Sequence, residues 1–77
     1  MRFQELDSVV LKRNLPEHSL RAGDMGTVVY VHEPPGLEVE FMTGSGDTVA
    51  VMTLEDRDVR ARAGDEVLAV RRLERSV

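Results

Sequence analysis

Two histidines stand beside glutamates, at Glu17–His18 and His32–Glu33, and Glu38 and Glu40 lie two residues apart. These are the residue types of a two-histidine, one-carboxylate metal site, or of a paired-carboxylate acid–base centre. Neither pattern has the spacing its chemistry needs. No H-x-x-x-H sets two imidazoles on one helical turn, and glutamates at i and i+2 in an extended run mark the solvent face of a half-buried strand. Ser8, Ser19, Ser45 and Ser76 have no histidine–acid context, and cysteine is absent, so neither a hydroxyl nor a thiolate nucleophile is expected. Gly23, Asp24 and Gly26 have the types of a phosphate-cradling loop, yet neither a helix start nor a lysine follows them. Gly23 is instead expected to take a left-handed turn conformation, with the Asp24 side chain capping it. The reading is of a chain with no catalytic, cofactor-binding or metal-binding residues. The candidates that remain are contacts to a protein partner: Glu17, His18, Arg21, Tyr30, His32, Glu38, Glu40 and Arg57.

The elements that must position them read as short strands. Residues 6–13 alternate imperfectly, with Val9 and Leu11 on one face and Ser8, Val10 and Lys12 on the other. Residues 14–24 hold the turn formers Asn14, Pro16, Gly23 and Asp24, with Leu15 and Leu20 as apolar anchors of a long tethered loop. Residues 26–32 are almost all β-branched or aromatic, which suits a pleated surface. A reversal at Pro34, Pro35 and Gly36 follows, of the type II kind. Leu37, Val39 and Phe41 then alternate strictly with Glu38 and Glu40. Gly44 to Asp47 form a hairpin connection to a fourth strand over 48–54, Asp56 to Asp58 a single 3₁₀ turn, and a fifth strand starts at Val59. The predicted inner set is Val9, Leu11, Val29, Val31, Val39, Phe41, Val49 and Val51, with Met25, Met42 and Met52 as filler. Gly64 to Val77 fits a strand or a helix packed on the rest; the period of so short a run does not choose between them, and its valine content favours an extended segment.

With 77 residues, no cysteine and 42% hydrophobic content, the chain is one small domain stabilised by packing alone. Residues 17–58 carry nine acids against two arginines, a net of −7, whereas residues 59–77 carry five arginines against three acids. An acidic body repels phosphate, so nucleic acid is disfavoured as a partner. Arg60, Arg62, Arg71, Arg72 and Arg75 are expected to neutralise that body, within the chain or between subunits. The apolar runs are too short for a membrane span and no secretory leader opens the sequence, so a cytoplasmic protein is expected. An open sheet edge is commonly paired with a second copy, and the chain is expected to be a monomer or a homodimer.

Five short strands with a long loop after the first predict an all-β fold: a five-stranded antiparallel SH3-like barrel of the KOW or Tudor kind over residues 1–63, with a C-terminal extension over 64–77. The stretch Leu15-Pro16-Glu17-His18-Ser19-Leu20-Arg21-Ala22-Gly23-Asp24-Met25-Gly26-Thr27-Val28-Val29 resembles the signature of a small uncharacterised bacterial family, a domain of unknown function of the form LPEH-x-L-x-x-G-D-x-G-T-V-V. The resemblance runs from about Leu6 to Arg62. Its Gly-Asp-x-Gly-Thr-Val part is shared with ribosomal KOW segments, a photosystem I accessory subunit and the β-subunit of nitrile hydratase, which implies the fold and no shared activity. The family resemblance implies a partner encoded by an adjacent gene. The expected function is a non-catalytic protein–protein interaction module, the regulatory or antitoxin-like member of a two-gene module. The alternatives are a nucleic-acid-associated KOW-like barrel and an accessory subunit of an oxidoreductase or hydratase.

Overall fold

The protein is described by a computed structural model that covers residues 3–33 and 36–73. Five strands form one antiparallel sheet: β1 (Ser8–Leu11), β2 (Met25–Val31), β3 (Gly36–Met42), β4 (Thr48–Glu55) and β5 (Val59–Ala61), in the order β4-β3-β2-β1-β5. Each hairpin joins neighbours, and the chain's first and last strands meet through Val9–Ala61, Val10–Arg60 and Leu11–Val59. No ladder joins β4 to β5 among the described residues, so the sheet is not closed. β5 ends after three residues, all of them paired with β1, whereas β4 runs for eight.

The core consists of Phe3, Val9, Leu11, Leu15, Leu20, Val28, Leu37, Val39, Phe41, Leu54 and Val59. The predicted inner residues Val9, Leu11, Val39 and Phe41 are in it, and Val31 and Val49 pack against it half-buried. Val29 and Val51 are not inside; they are 38% and 51% exposed. On β2 the register shifts between Val28 and Tyr30, so an extra residue at Val29 inverts the alternation and puts Val28 inside. On β4 a shift between Phe41 and Met42 does the same, and Ala50, Met52 and Leu54 face inward instead.

Between β1 and β2 the long loop is tethered as its composition predicts. Leu15 and Leu20 are buried and bridge to each other, Pro16–His18 form a 3₁₀ turn, and Ala22 N–H donates to Asn14 Oδ1 at 2.9 Å. Gly23 has φ +98° and Asp24 Oδ2 accepts the Arg21 N–H at 2.9 Å. The reversal before β3 is closed by the Gly36 N–H to the Glu33 carbonyl at 3.1 Å; Pro34 and Pro35 lie outside the described residues. A 3₁₀ turn, Asp56–Asp58, links β4 to β5. No helix among the described residues is long and apolar enough to cross a membrane.

Residues 64–73 form neither the strand nor the helix expected of them: after a turn at Gly64–Asp65 they run without ladder hydrogen bonds, and residues 74–77 lie outside the described part. Side chains hold this segment where backbone does not. Arg60 forks onto Glu66 at 2.9 and 2.6 Å, and the Ala63 N–H also reaches Glu66. Arg71 forks onto Asp24, with Nε to Oδ1 at 2.9 Å and Nη2 to Oδ2, and donates to the Ser19 carbonyl at 3.0 Å. Between the sheet and this strap lies a groove of about 420 Å³, lined by Val10, Met25, Met42, Val67 and Val70 among others. Val10, buried yet outside the main core, owes its cover to this side.

The two forks make the strap sensitive to acid. Burial alone would raise the Asp24 carboxyl, but the Arg71 guanidinium and the Arg21 N–H outweigh it and hold it below the ordinary value. The Arg60 bond and the Ala63 N–H lower Glu66 to about 2. Both folded values lie below the unfolded ones, so their contribution is complete above the unfolded pKa near 4 and is lost as the pH falls through the folded values. Residues 66–73 are therefore expected to become mobile near pH 2 while β1–β4 persist, read as a drop in their ¹⁵N heteronuclear NOE relative to about pH 6. Equal NOE values at the two pH values would refute the clamp.

Candidate functional site

Of the eight partner-contact candidates, the fold brings four to one surface, the outward face of β2 and β3. Glu38 pairs with Tyr30 on one side and Thr53 on the other, and Glu40 pairs with Thr27 and Val51. Residues opposite one another in an antiparallel ladder point the same way, so Tyr30–Glu38–Thr53 and Thr27–Glu40–Val51 are two parallel rows of outward side chains. His32, just past the end of β2, closes the first row: its Nε2 donates to Glu38 Oε2 at 2.7 Å, and its ring meets Tyr30 edge-on with centroids 4.8 Å apart.

Both carboxylates are oriented by hydroxyls from β4. Thr53 Oγ1 donates to Glu38 Oε1 at 3.1 Å, and Thr48 Oγ1 to Glu40 Oε2 at 2.6 Å. The His32 bond, aided by Thr53 and against a smaller effect of burial, holds Glu38 below the usual carboxylate range. Around these acids lie exposed apolar surfaces: Tyr30 is 52% exposed beside Glu38, its chain neighbour Val29 is also exposed, and Val51 lies exposed beside Glu40 on the other side of β3. Thr48 is not among the candidates because nothing in its type marks it, nor are Val51 and Thr53, because alternation alone turns these two inward. The signal that reassigns them is the register shift after Phe41, which no residue type marks.

The other four candidates sit elsewhere. Glu17 and His18 are exposed on the first 3₁₀ turn, where Glu17 lies close enough to Arg13 to act on its charge. Arg13 Nε donates to Asp58 at 2.9 Å, and Arg57 pairs with Glu55 at 2.8 Å, so Arg57 belongs to a polar cluster at the end of β4 rather than to the outward face. Desolvation raises Asp58, but Arg13 and the Glu55 N–H lower it further, which makes this cluster a fastening between the long loop and the second 3₁₀ turn. Arg21 lies at the Asp24 turn, beside the strap.

The geometry bears on the chemistry weighed from the sequence. His18 and His32 stand on separate elements, and no group of three metal-ligating side chains occurs among the described residues. The Gly23–Gly26 turn offers phosphate nothing: the Gly23 N–H donates to the Leu11 carbonyl and the Asp24 N–H to that of Arg21. Of the tail arginines, Arg60 and Arg71 pair with acids of their own chain, Arg62 is exposed and adds to the charge acting on Glu66, Arg72 is exposed, and Arg75 lies outside the described residues. What the outward face can do is receive a cation, with apolar surface for its stem and two fixed carboxylates for its head.

Residues 5–61 match the family described as a domain of unknown function, DUF4926. Neither the curated proteins nor the solved structures contain a match.

Proposed function

The chain belongs to the DUF4926 family, a domain of unknown function, and from that premise we propose that it is a non-catalytic interaction module that takes a basic segment of a protein partner on the outward face of β2, β3 and β4. The observation that carries this reading is the placement of Glu38 and Glu40, each oriented by a threonine hydroxyl, among the exposed side chains of Val29, Tyr30 and Val51. An arginine or lysine stem lies on the apolar surface, its head reaches a carboxylate, and Tyr30 adds a cation–π contact. The same carboxylates oppose a nucleic-acid phosphate.

The strand order and the long loop after β1 support an SH3-like build. In this reading the protein is cytoplasmic and bacterial, and acts as the regulatory or antitoxin-like member of a two-gene module whose other product supplies the basic segment. Co-expression with the product of the adjacent gene, followed by size-exclusion chromatography, is expected to give a joint peak. In titration calorimetry the double variant Glu38→Gln, Glu40→Gln is expected to bind that product at least about tenfold more weakly, since two charge-assisted contacts become neutral ones. Separate elution, or an unchanged affinity of the double variant, would sink the proposal.

A further inference from the structure

The sheet ends on two edges of very different character. β5 is three residues long, and Arg57, Arg60 and Arg62 flank or interrupt it, so charge and shortness guard it against further pairing. β4 is eight residues long, about 27 Å at ~3.4 Å per residue, and pairs only with β3 among the described residues. From Thr48 to Leu54 it has no charge, no proline and no glycine. Roughly half of its backbone N–H and C=O groups point to the open side. The devices that usually keep such an edge from pairing are missing over this stretch; the register shift opposite Phe41 touches only its first residues.

We propose that β4 pairs antiparallel with β4 of a second copy, joining the two sheets into one of ten strands about a two-fold axis near Met52. The strand is complementary to itself in that register. Met52 lies opposite Met52 of the partner subunit, Ala50 opposite Leu54, and Val51 opposite Thr53. Inward residues thus meet inward ones, which extends the floor formed by Ala50, Met52 and Leu54, and outward residues meet outward ones. Electrostatics selects a second copy of an acidic chain only if no like charges are forced together, and over these seven residues there are none. Glu38 and Glu40 of the two copies are three strand spacings apart, about 14 Å, which exceeds the screening length of ~8 Å at physiological salt. Because the only long unguarded edge among the described residues is used up by the two-fold, the assembly stops at two copies. The pairing is independent of what the outward face binds, and it sets two such faces side by side on one continuous sheet.

Sedimentation equilibrium of the full chain from ~10 µM to ~1 mM, a range set by the weak affinities of small interfaces, tests the pairing. Wild type is expected at twice the mass of one chain at the upper end. Val51→Lys places a lysine on each edge and is expected to weaken dimerisation at least about tenfold, while Val29→Lys, on an interior strand, leaves it unchanged. Amide exchange at Ala50 to Leu54 is expected to slow as wild-type concentration rises, a readout that stands even if Val51→Lys folds poorly. A wild type that stays monomeric throughout, species larger than two, association of Val51→Lys equal to wild type, or edge amides indifferent to concentration would each overturn the proposal.

Discussion

Phe41→Ala is expected to remove a large share of the stability of this domain. Phe41 is 2% exposed near the end of β3, and it is one of only two phenylalanines in a chain without tryptophan. Truncating a fully buried phenylalanine costs about 3–5 kcal/mol, the transfer term plus the cavity left behind. A 77-residue chain has about 4–12 kcal/mol in total at ~0.05–0.15 kcal/mol per residue. With about 4–8 °C per kcal/mol for a domain of this size, the melting temperature by far-UV circular dichroism should fall by at least about 12 °C. Tyr30→Ala, on the exposed face, is the contrast: its stability should stay within about 1 kcal/mol of wild type. A Phe41→Ala protein melting within a few degrees of wild type would show that the core is not organised around this ring.

How much of this was legible in the sequence depended on whether the local pattern stayed in phase. In β3 the alternation of Leu37, Val39 and Phe41 with Glu38 and Glu40 runs unbroken, and every one of those residues faces as the pattern says. The long loop was legible through its anchors Leu15 and Leu20 and its turn residues Gly23 and Asp24, all of which act locally. The inner faces of β2 and β4 were not. A single extra residue at Val29 inverts a two-residue period, and in a run of valines and threonines no side chain marks where the inversion falls. The separate shift opposite Phe41 hides part of the site in the same way: alternation alone turns Val51 inward, which leaves only the β2 and β3 parts of the outward face.

The clamps were illegible for a different reason. Arg71 and Asp24 are 47 residues apart, and five arginines compete in the C-terminal part of the chain for acids spread over all of it. Sign matching predicts neutralisation and does not choose partners. What chooses is the turn: Gly23 and the Arg21 N–H hold the Asp24 carboxylate independently of Arg71, in an orientation that a planar guanidinium fork can match. The Gly-Asp-x-Gly-Thr-Val stretch thus has a structural meaning throughout, with its first glycine giving the backbone angle and its aspartate anchoring the strap.

Its second glycine has another task, and Gly26→Ala is expected to expose it. Gly26 pairs with Val9 on β1, and a Cβ at this position would lie 2.7 Å from Val39 Cγ1 and 2.8 Å from Phe41 Cε1. Those atoms are enclosed by the core and have nowhere to yield, so the methyl is expected to cost about 1–3 kcal/mol by overpacking, against the small gain alanine normally brings over glycine in a strand. Gly44→Ala, where nothing lies within 4 Å of the new Cβ, should leave stability within about 0.5 kcal/mol of wild type. Phe41→Leu supplies the decisive comparison, because it shortens the side chain that Gly26 accommodates. In that background Gly26→Ala should cost less than in wild type, with a coupling of at least about 0.5 kcal/mol in the double-mutant cycle measured by urea denaturation. Additive costs would mean that the glycine is there for the backbone and not for the ring, and the packing account of the second glycine would have to be given up.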